Sequence, residues 1–227
     1  MLQLIDKVKI YFYILLLFTL LSIHNLNSLS SINKFFKINK IILISNLEEN
    51  LNQKIISSLE DFYNFNIFSL RSNEIISILE NFNIINDYKI MKEYPSVIKI
   101  DLKKTNILAY YIENNQKIYI GDNGKKIKEL QILNNDLPVI EGAFDIQKFQ
   151  HLKNKLINNG FKLNDFIKFY YFESNRWDLI YKNNILIKLP INDLDLSLSL
   201  LNEIIQSSNI NDIKVIDLRI KNRVILS

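Results

Sequence analysis

From Ile10 to Ile23 the chain reads IYFYILLLFTLLSI, apolar on every face, with Lys7 and Lys9 before it and the polar run HNLNSLSSIN after it. Beyond it, apolar positions recur in short blocks whose period changes. Residues Asn25 to Lys37 are rich in Ser and Asn and predict a linker. Asn39 to Ile44 reads as an apolar strand. Leu51, Ile55, Ile56 and Leu59 recur at helical spacing. A second helix is predicted over Ser72 to Phe82, with Ser72 as its N-cap and Ile75, Ile76, Leu79 and Phe82 on one face. Tyr88 to Met91 and Val97 to Leu102 flank KEYPS, a strand pair joined by a Pro-containing turn. The order strand, helix, helix, strand, strand predicts two helices packed on one face of a three-stranded sheet.

After Lys104 the pattern turns towards strands. Ile107 to Ile112 and Lys117 to Ile120 flank ENNQ, and GDNG at 121–124 is a turn of the Asp/Asn/Gly kind. LPVIEGAF leads into a helix from Asp145 to about Asn159, ended by Gly160 as a left-handed cap. Phe166 to Phe172, Trp177 to Lys182 and Ile185 to Leu189 read as strands, with Asn183-Asn184 as a two-residue hairpin turn. DLDLSLSLLNEII alternates at first, but Leu194, Leu198, Leu201 and Ile205 line one helical face, and Asp193 is the expected cap. VIDLRIKNRVIL, Val215 to Leu226, one residue short of the C-terminus, reads as strand, turn, strand, and a free edge is expected there whose backbone N–H and C=O groups would accept a partner.

The N-terminal apolar run admits three readings. About 14 helical residues rise only about 21 Å, short of the roughly 30 Å hydrocarbon core. A membrane anchor therefore requires the segment to extend over residues 10–29, with Tyr11 and Tyr13 in the interfacial belt and the lysines kept inside. A cleaved signal peptide suits the length, with Ser28 and Ser30 as small residues near its end. A buried core helix is the third reading. The first two export the rest of the chain.

Composition narrows the function. The chain has 227 residues, 48% hydrophobic and 23% charged, with a net charge of +4, which is globular and large enough for one or two domains. Its lysines are dispersed, so the dense basic stripe with interleaved aromatics of a nucleic-acid groove is missing. It has no cysteine and only His24 and His151 as histidines, which removes disulfides, thiol chemistry and the usual zinc sites. Neither a Walker pattern, a G-x-G-x-x-G, an H-E-x-x-H nor a Gly-x-Ser-x-Gly elbow occurs. Glu48-Glu49 and Asp193 with Asp195 read as solvated turn carboxylates, His151 as a surface residue on a helix, and Trp177 as core. No catalytic residue, cofactor, metal or small-molecule substrate is indicated.

The order of these pieces resembles the FtsQ/DivIB family of bacterial cell-division proteins. The resemblance rests on NIFSLRSNEIISILE (Asn66 to Glu80), YPSVIKIDL (Tyr94 to Leu102), LPVIEG (Leu137 to Gly142), NRWDLIYKNNILIKLP (Asn175 to Pro190) and the terminal VIDLRIKNRVIL, in that order and spacing. Within the last of these, Ile220 and Leu226 stand where some relatives carry aromatics. The resemblance implies an α+β chain: a cytoplasmic tail over 1–9, a transmembrane helix over 10–29, a linker over 30–37, a POTRA domain over 38–105, and a mostly antiparallel β domain with two helices over 106–227. It also implies a non-catalytic scaffold in the inner membrane, its C-terminal domains in the periplasm, binding the single-pass division proteins FtsB and FtsL. The expected contact is strand addition at the C-terminal strand, with Arg219, Ile220, Asn222, Arg223, Val224 and Ile225 as partner-binding residues and Arg176 as a further charge contact. The alternative is an exported soluble binding module with a cleaved signal peptide. A POTRA-bearing outer-membrane assembly protein would need a large barrel, for which too few residues follow position 105.

Overall fold

A computed structural model describes residues 7–21, 34–128, 137–207, 213–221 and 223–227. The apolar N-terminal run forms helix α1 (Lys7–Leu21), in which Tyr11, Phe12, Leu15 and Phe18 are all exposed. Among the described residues no helix is long and apolar enough to cross a membrane; positions 22–29 of the expected span lie outside them. The chain divides into two compact units, Met1–Phe82 with Asp87–Lys103, and Asn83–Asn86 with Lys104–Ser227.

In the first unit, β1 (Lys40–Ile44), α2 (Glu49–Ser58), α3 (Ser72–Leu79), β2 (Ile85–Glu93) and β3 (Val97–Lys104) follow in order. The sheet order is β1-β3-β2, and β1 runs parallel to β3 with Lys40 opposite Val97 and Ile44 opposite Asp101. Period-two alternation buries Ile98, Ile100 and Leu102 of β3 on one face. Ile55 of α2, Ile75 and Leu79 of α3, and the nearby Leu59 and Ile67 complete this core, each at most 1% exposed. Ser72 is not the cap of α3. Arg71 is the last extended residue (φ −89°, ψ 135°) and makes no side-chain cap bond, as expected of a guanidinium, which has no acceptor. The expected linker also ends inside the fold, because Lys37 bridges Asn66.

The second unit is built on a nine-stranded sheet of order β12-β11-β10-β9-β8-β7-β4-β5-β6. Its strands are β4 (Ile107–Glu113), β5 (Gln116–Gly121), β6 (Lys126–Ile127), β7 (Val139–Glu141), β8 (Phe166–Phe172), β9 (Arg176–Tyr181), β10 (Ile185–Lys188), β11 (Val215–Asp217) and β12 (Ile225–Leu226). Neighbours are antiparallel except at β4–β7, β7–β8 and β10–β11. Strands β6 and β7 are too short to show a period in sequence, and β7 lies where only a lead-in to a helix was expected. The two helices are α4 (Ile146–Asn158) and α5 (Leu194–Gln206).

One row of side chains organises this unit. Ile140, Phe169, Leu179, Ile187 and Ile216 stand opposite one another across β7, β8, β9, β10 and β11, and all are 2% exposed or less. They belong to one hydrophobic core with Phe149, Leu152 and Leu156 of α4 and Leu198 and Leu201 of α5. Trp177, 5% exposed, lies among Phe144, Phe149 and Tyr171 with ring centroids 4.7–6.3 Å apart, so it is core as expected. Asp145 caps α4 by accepting from the Gln147 N–H at 3.1 Å. Asp193 stands at the N-cap position of α5 as expected, its carbonyl accepting from the Ser197 N–H at 3.2 Å, but its backbone is left-handed (φ 59°, ψ 35°) and its side chain makes no cap bond; the carboxylate meets Lys221 at 3.0 Å instead. The hairpin turns at Asn114-Asn115 and Asn183-Asn184 have positive φ at both positions, the type I′ geometry that suits strand twist and that Asn tolerates.

Gly142, between β7 and α4, has φ +100°, and a Cβ there would lie 2.1 Å from the Tyr171 carbonyl oxygen. Gly142→Ala should therefore destabilise the protein by about 2 kcal/mol or more, read as a lower urea midpoint. Ala at the exposed neighbouring position Glu141 should cost much less.

Candidate partner-binding edge

Strand β12 closes one end of the large sheet, and among the described residues no strand lies beyond it. Its pairing fixes which backbone groups are free. Val215 and Ser227 exchange both bonds, the Val215 N–H donating at 2.9 Å and the Ser227 N–H at 3.2 Å. Bonded and non-bonded pairs alternate in an antiparallel ladder, so Ile216 and Leu226, directly opposite, form a non-bonded pair. The Leu226 N–H and C=O consequently point away from β11, to the open edge. Asp217 opposite Ile225 is the next bonded pair, so the Ile225 groups point inward. By its register Leu226 also continues the apolar row from Ile140 to Ile216, yet its side chain is 49% exposed. The core row runs off the end of the sheet uncovered.

The opposite face carries a polar row. Tyr170, Asp178, Lys188, Asp217 and Ile225 face one another across β8 to β12. Asp178 accepts from the Arg176 Nε at 3.2 Å; burial pushes its carboxyl up, while Arg176, Lys188 and Arg219 pull the other way. Asp217 is bound by the Arg219 guanidinium at 2.9 Å through Nε and 2.5 Å through Nη2, which holds its carboxyl below the usual range. Arg219 is thus already paired, whereas Arg223 makes no ion pair with any described residue.

Between β11 and β12 the described residues 218–221, 223 and 224 belong to no strand, so the strands of the terminal strand–turn–strand are shorter than the sequence pattern suggests. Together with α5 and the segment before it, this turn encloses a groove of about 440 Å³. Arg176, Arg219, Ile220 and Arg223 line it, as do Ile191, Leu196, Leu200 and Lys221. Ile191 is 54%, Leu196 61% and Ile220 51% exposed, so the groove joins open apolar surface to a cationic rim. Arg176 is further placed by the Phe172 ring, 4.4 Å from its guanidinium carbon.

Four of the seven expected residues, Arg176, Arg219, Ile220 and Arg223, therefore meet in one groove. Ile225 lies in β12 on the polar face, Val224 is half-buried against the core, and Asn222 lies outside the described residues. Sequence reasoning passed over Leu226, Leu196 and Leu200. The signal was present in the Leu alternation of DLDLSLSLL: with Leu198 and Leu201 inward, Leu196 and Leu200, four apart, must share the outer face of α5.

Among the described residues no three His, Cys, Asp or Glu side chains stand where they could hold a metal ion. Residues 109–219, which include most of this sheet, match the family model described as cell division protein FtsQ/DivIB, C-terminal. Cell division protein FtsQ of Rickettsia prowazekii is 29% identical over 169 residues, covering 69% of this chain and 60% of the relative. FtsQ of Rickettsia typhi is 27% and that of Rickettsia conorii 29% identical over the same length. The matched stretch thus spans less than two thirds of these relatives. The solved major extracytoplasmic domain of the trans isomer of DivIB from Geobacillus stearothermophilus is similar to 42% of this chain, over 87% of its own length, with 15% identity and a TM-score of 0.32. Residues 109–219 thus match the FtsQ/DivIB family of bacterial cell-division proteins, the family that the sequence pattern resembles.

Proposed function

We propose that this protein is a non-catalytic, membrane-anchored scaffold of the division machinery. Residues 10–29 form its inner-membrane anchor, residues 1–9 a cytoplasmic tail, residues 38–105 a POTRA domain, and residues 106–227 a β domain that binds FtsB-like and FtsL-like single-pass partners in the periplasm. The observation that carries the reading is the open edge of β12 beside an apolar, arginine-rimmed groove. An extended partner segment adds to the edge through main-chain hydrogen bonds, the Leu226 N–H and C=O being the groups that receive it. A side chain of that strand covers Leu226 and completes the apolar row. The groove takes the adjoining helical part of the partner through Ile191, Leu196 and Ile220, and its rim selects acidic residues.

The edge geometry yields a paired test. Proline removes the backbone donor. In full-length protein, Leu226→Pro should abolish binding of the extracytoplasmic segment of an FtsB-like protein by roughly a hundredfold or more, since it strikes only outward groups. Its circular dichroism should stay unchanged. Ile225→Pro should instead release β12 from β11 and lower stability as well. Binding that survives Leu226→Pro would overturn strand addition at this edge.

The rim yields a second. Because Arg219 is neutralised by Asp217 and Arg223 is unpaired, Arg223→Ala should weaken binding by roughly tenfold, and Arg219→Ala by less. The Arg223 effect should shrink as salt rises, in a titration of affinity against ionic strength.

The anchor is checked by the N-terminus of the protein recovered from cells. An intact N-terminus in the membrane fraction is expected. Cleavage near Ser28 or Ser30 would select the exported soluble module.

A further inference from the structure

Four aromatic rings form a continuous strip on the first unit. Phe35 and Phe36 lie 5.3 Å apart, Phe36 and Phe68 5.0 Å, and Phe68 stacks on Tyr94 at 4.9 Å with an interplanar angle of 20°. Phe35 is 63% exposed, and Phe68 and Tyr94 are each 59% exposed. Contiguous rings left in water mark a contact surface. The strip is built into the fold. The Ile67 N–H donates to the Phe36 carbonyl and the Ile38 N–H to the Phe65 carbonyl, each at 2.9 Å. The Lys92 ammonium of β2 ties down the Phe68 loop by donating to the Ile67 and Leu70 carbonyls at 2.7 and 2.5 Å.

Cations flank the strip. Lys34 and Lys37 bracket Phe35-Phe36, and Arg71 follows Phe68 by three residues; none of them pairs with a described acid. The neighbouring Glu93 faces Lys99 at 3.7 Å. Aromatic rings with basic residues beside them suit the headgroup zone of an anionic bilayer, where rings sit at the acyl boundary and ammonium groups meet phosphates. Chain length brings the strip there. Lys34 follows Leu21, the end of α1, by thirteen residues, so even a fully extended connection holds it within about 45 Å of the apolar helix.

We infer that Phe35, Phe36, Phe68 and Tyr94 seat in the headgroup region of an anionic membrane and hold the first unit against the bilayer that its N-terminal segment enters. This rests on the anchor reading of residues 10–29. The rings and cations bind together: apolar contact supplies area, and the lysines choose the anionic surface.

The absence of cysteine makes the test direct. Single variants Leu16→Cys, Ser69→Cys and Glu173→Cys of the full chain are labelled with an environment-sensitive nitrobenzoxadiazole dye. Each is reconstituted into vesicles of phosphatidylethanolamine and phosphatidylglycerol and probed by emission maximum and iodide quenching. The dye at 16 should report hydrocarbon, the dye at 69 the interface, and the dye at 173 water. Adding Phe35→Ser, Phe68→Ser and Tyr94→Ser, all exposed and therefore compatible with folding, should raise iodide access at 69 by about threefold and leave 16 unchanged. The same rise is expected in vesicles of phosphatidylcholine alone. A water-exposed dye at 69 with a buried dye at 16 overturns the inference while the anchor stands, and leaves the rings to a protein partner. Water exposure at both overturns both. Burial at 69 alone retains the strip and overturns the anchor.

Discussion

A sheet that buries one face under helices has no freedom in register, because a slip of one residue would turn every side chain to the wrong face. In the second unit this constraint is carried by the row Ile140, Phe169, Leu179, Ile187 and Ile216, packed with α4 and α5. Phe149 and Phe169 are fully buried at its centre, 5.6 Å apart. Once the row is set, the position of β11 follows from β10, and that of β12 from β11. The orientation of the last residues is thus inherited from a core several strands away.

That inheritance explains how the candidate edge is pre-organised. Natural edges are blunted by charge, proline or bulges; this one is short, but it presents Leu226, with the outward backbone groups, as the open end of the core row. The polar face beneath it is arranged differently. Lys188 stands between Asp178 and Asp217, each carboxylate also has an arginine, and Lys221 is paired with Asp193, so among the described residues of the groove the positive charge left for a visitor is concentrated on Arg223. A partner strand would meet main-chain groups and an apolar row, while the groove beside α5 supplies the charge selection.

The two units handle exposed apolar surface in different ways. In the second, Ile191, Leu196, Leu200, Ile220, Ile225 and Leu226 gather at a sheet edge and groove, where directional backbone bonds can specify a sequence. In the first, four of them are rings in contact with one another, flanked by cations. A planar, fluid partner such as a bilayer needs no register, and rings with cations suit it.

Much of this was written in local pattern. Alternation gave away β3, β8 and β9, helical spacing α2, α4 and α5, and the Asn-Asn pairs both type I′ turns, because each depends only on residues adjacent in the chain. Gly160 likewise ends α4 with a positive φ as its position suggested. The basic, C-terminal character of the candidate site was also legible, through Arg219, Ile220 and Arg223. Other features depend on partners distant in sequence. Strand β7 is a strand only because β4 and β8 lie on either side of it. Asp193 holds the N-cap position without a side-chain cap bond, because its backbone is left-handed and its carboxylate goes to Lys221. Arg176 joins the terminal arginines only when β9 and the last turn come together around α5. Whether Leu226 or Ile225 offers its backbone to a partner could not be read from VIDLRIKNRVIL, since both alternate equally well; the pairing of Val215 with Ser227 decides it, and that pairing is set by the buried row.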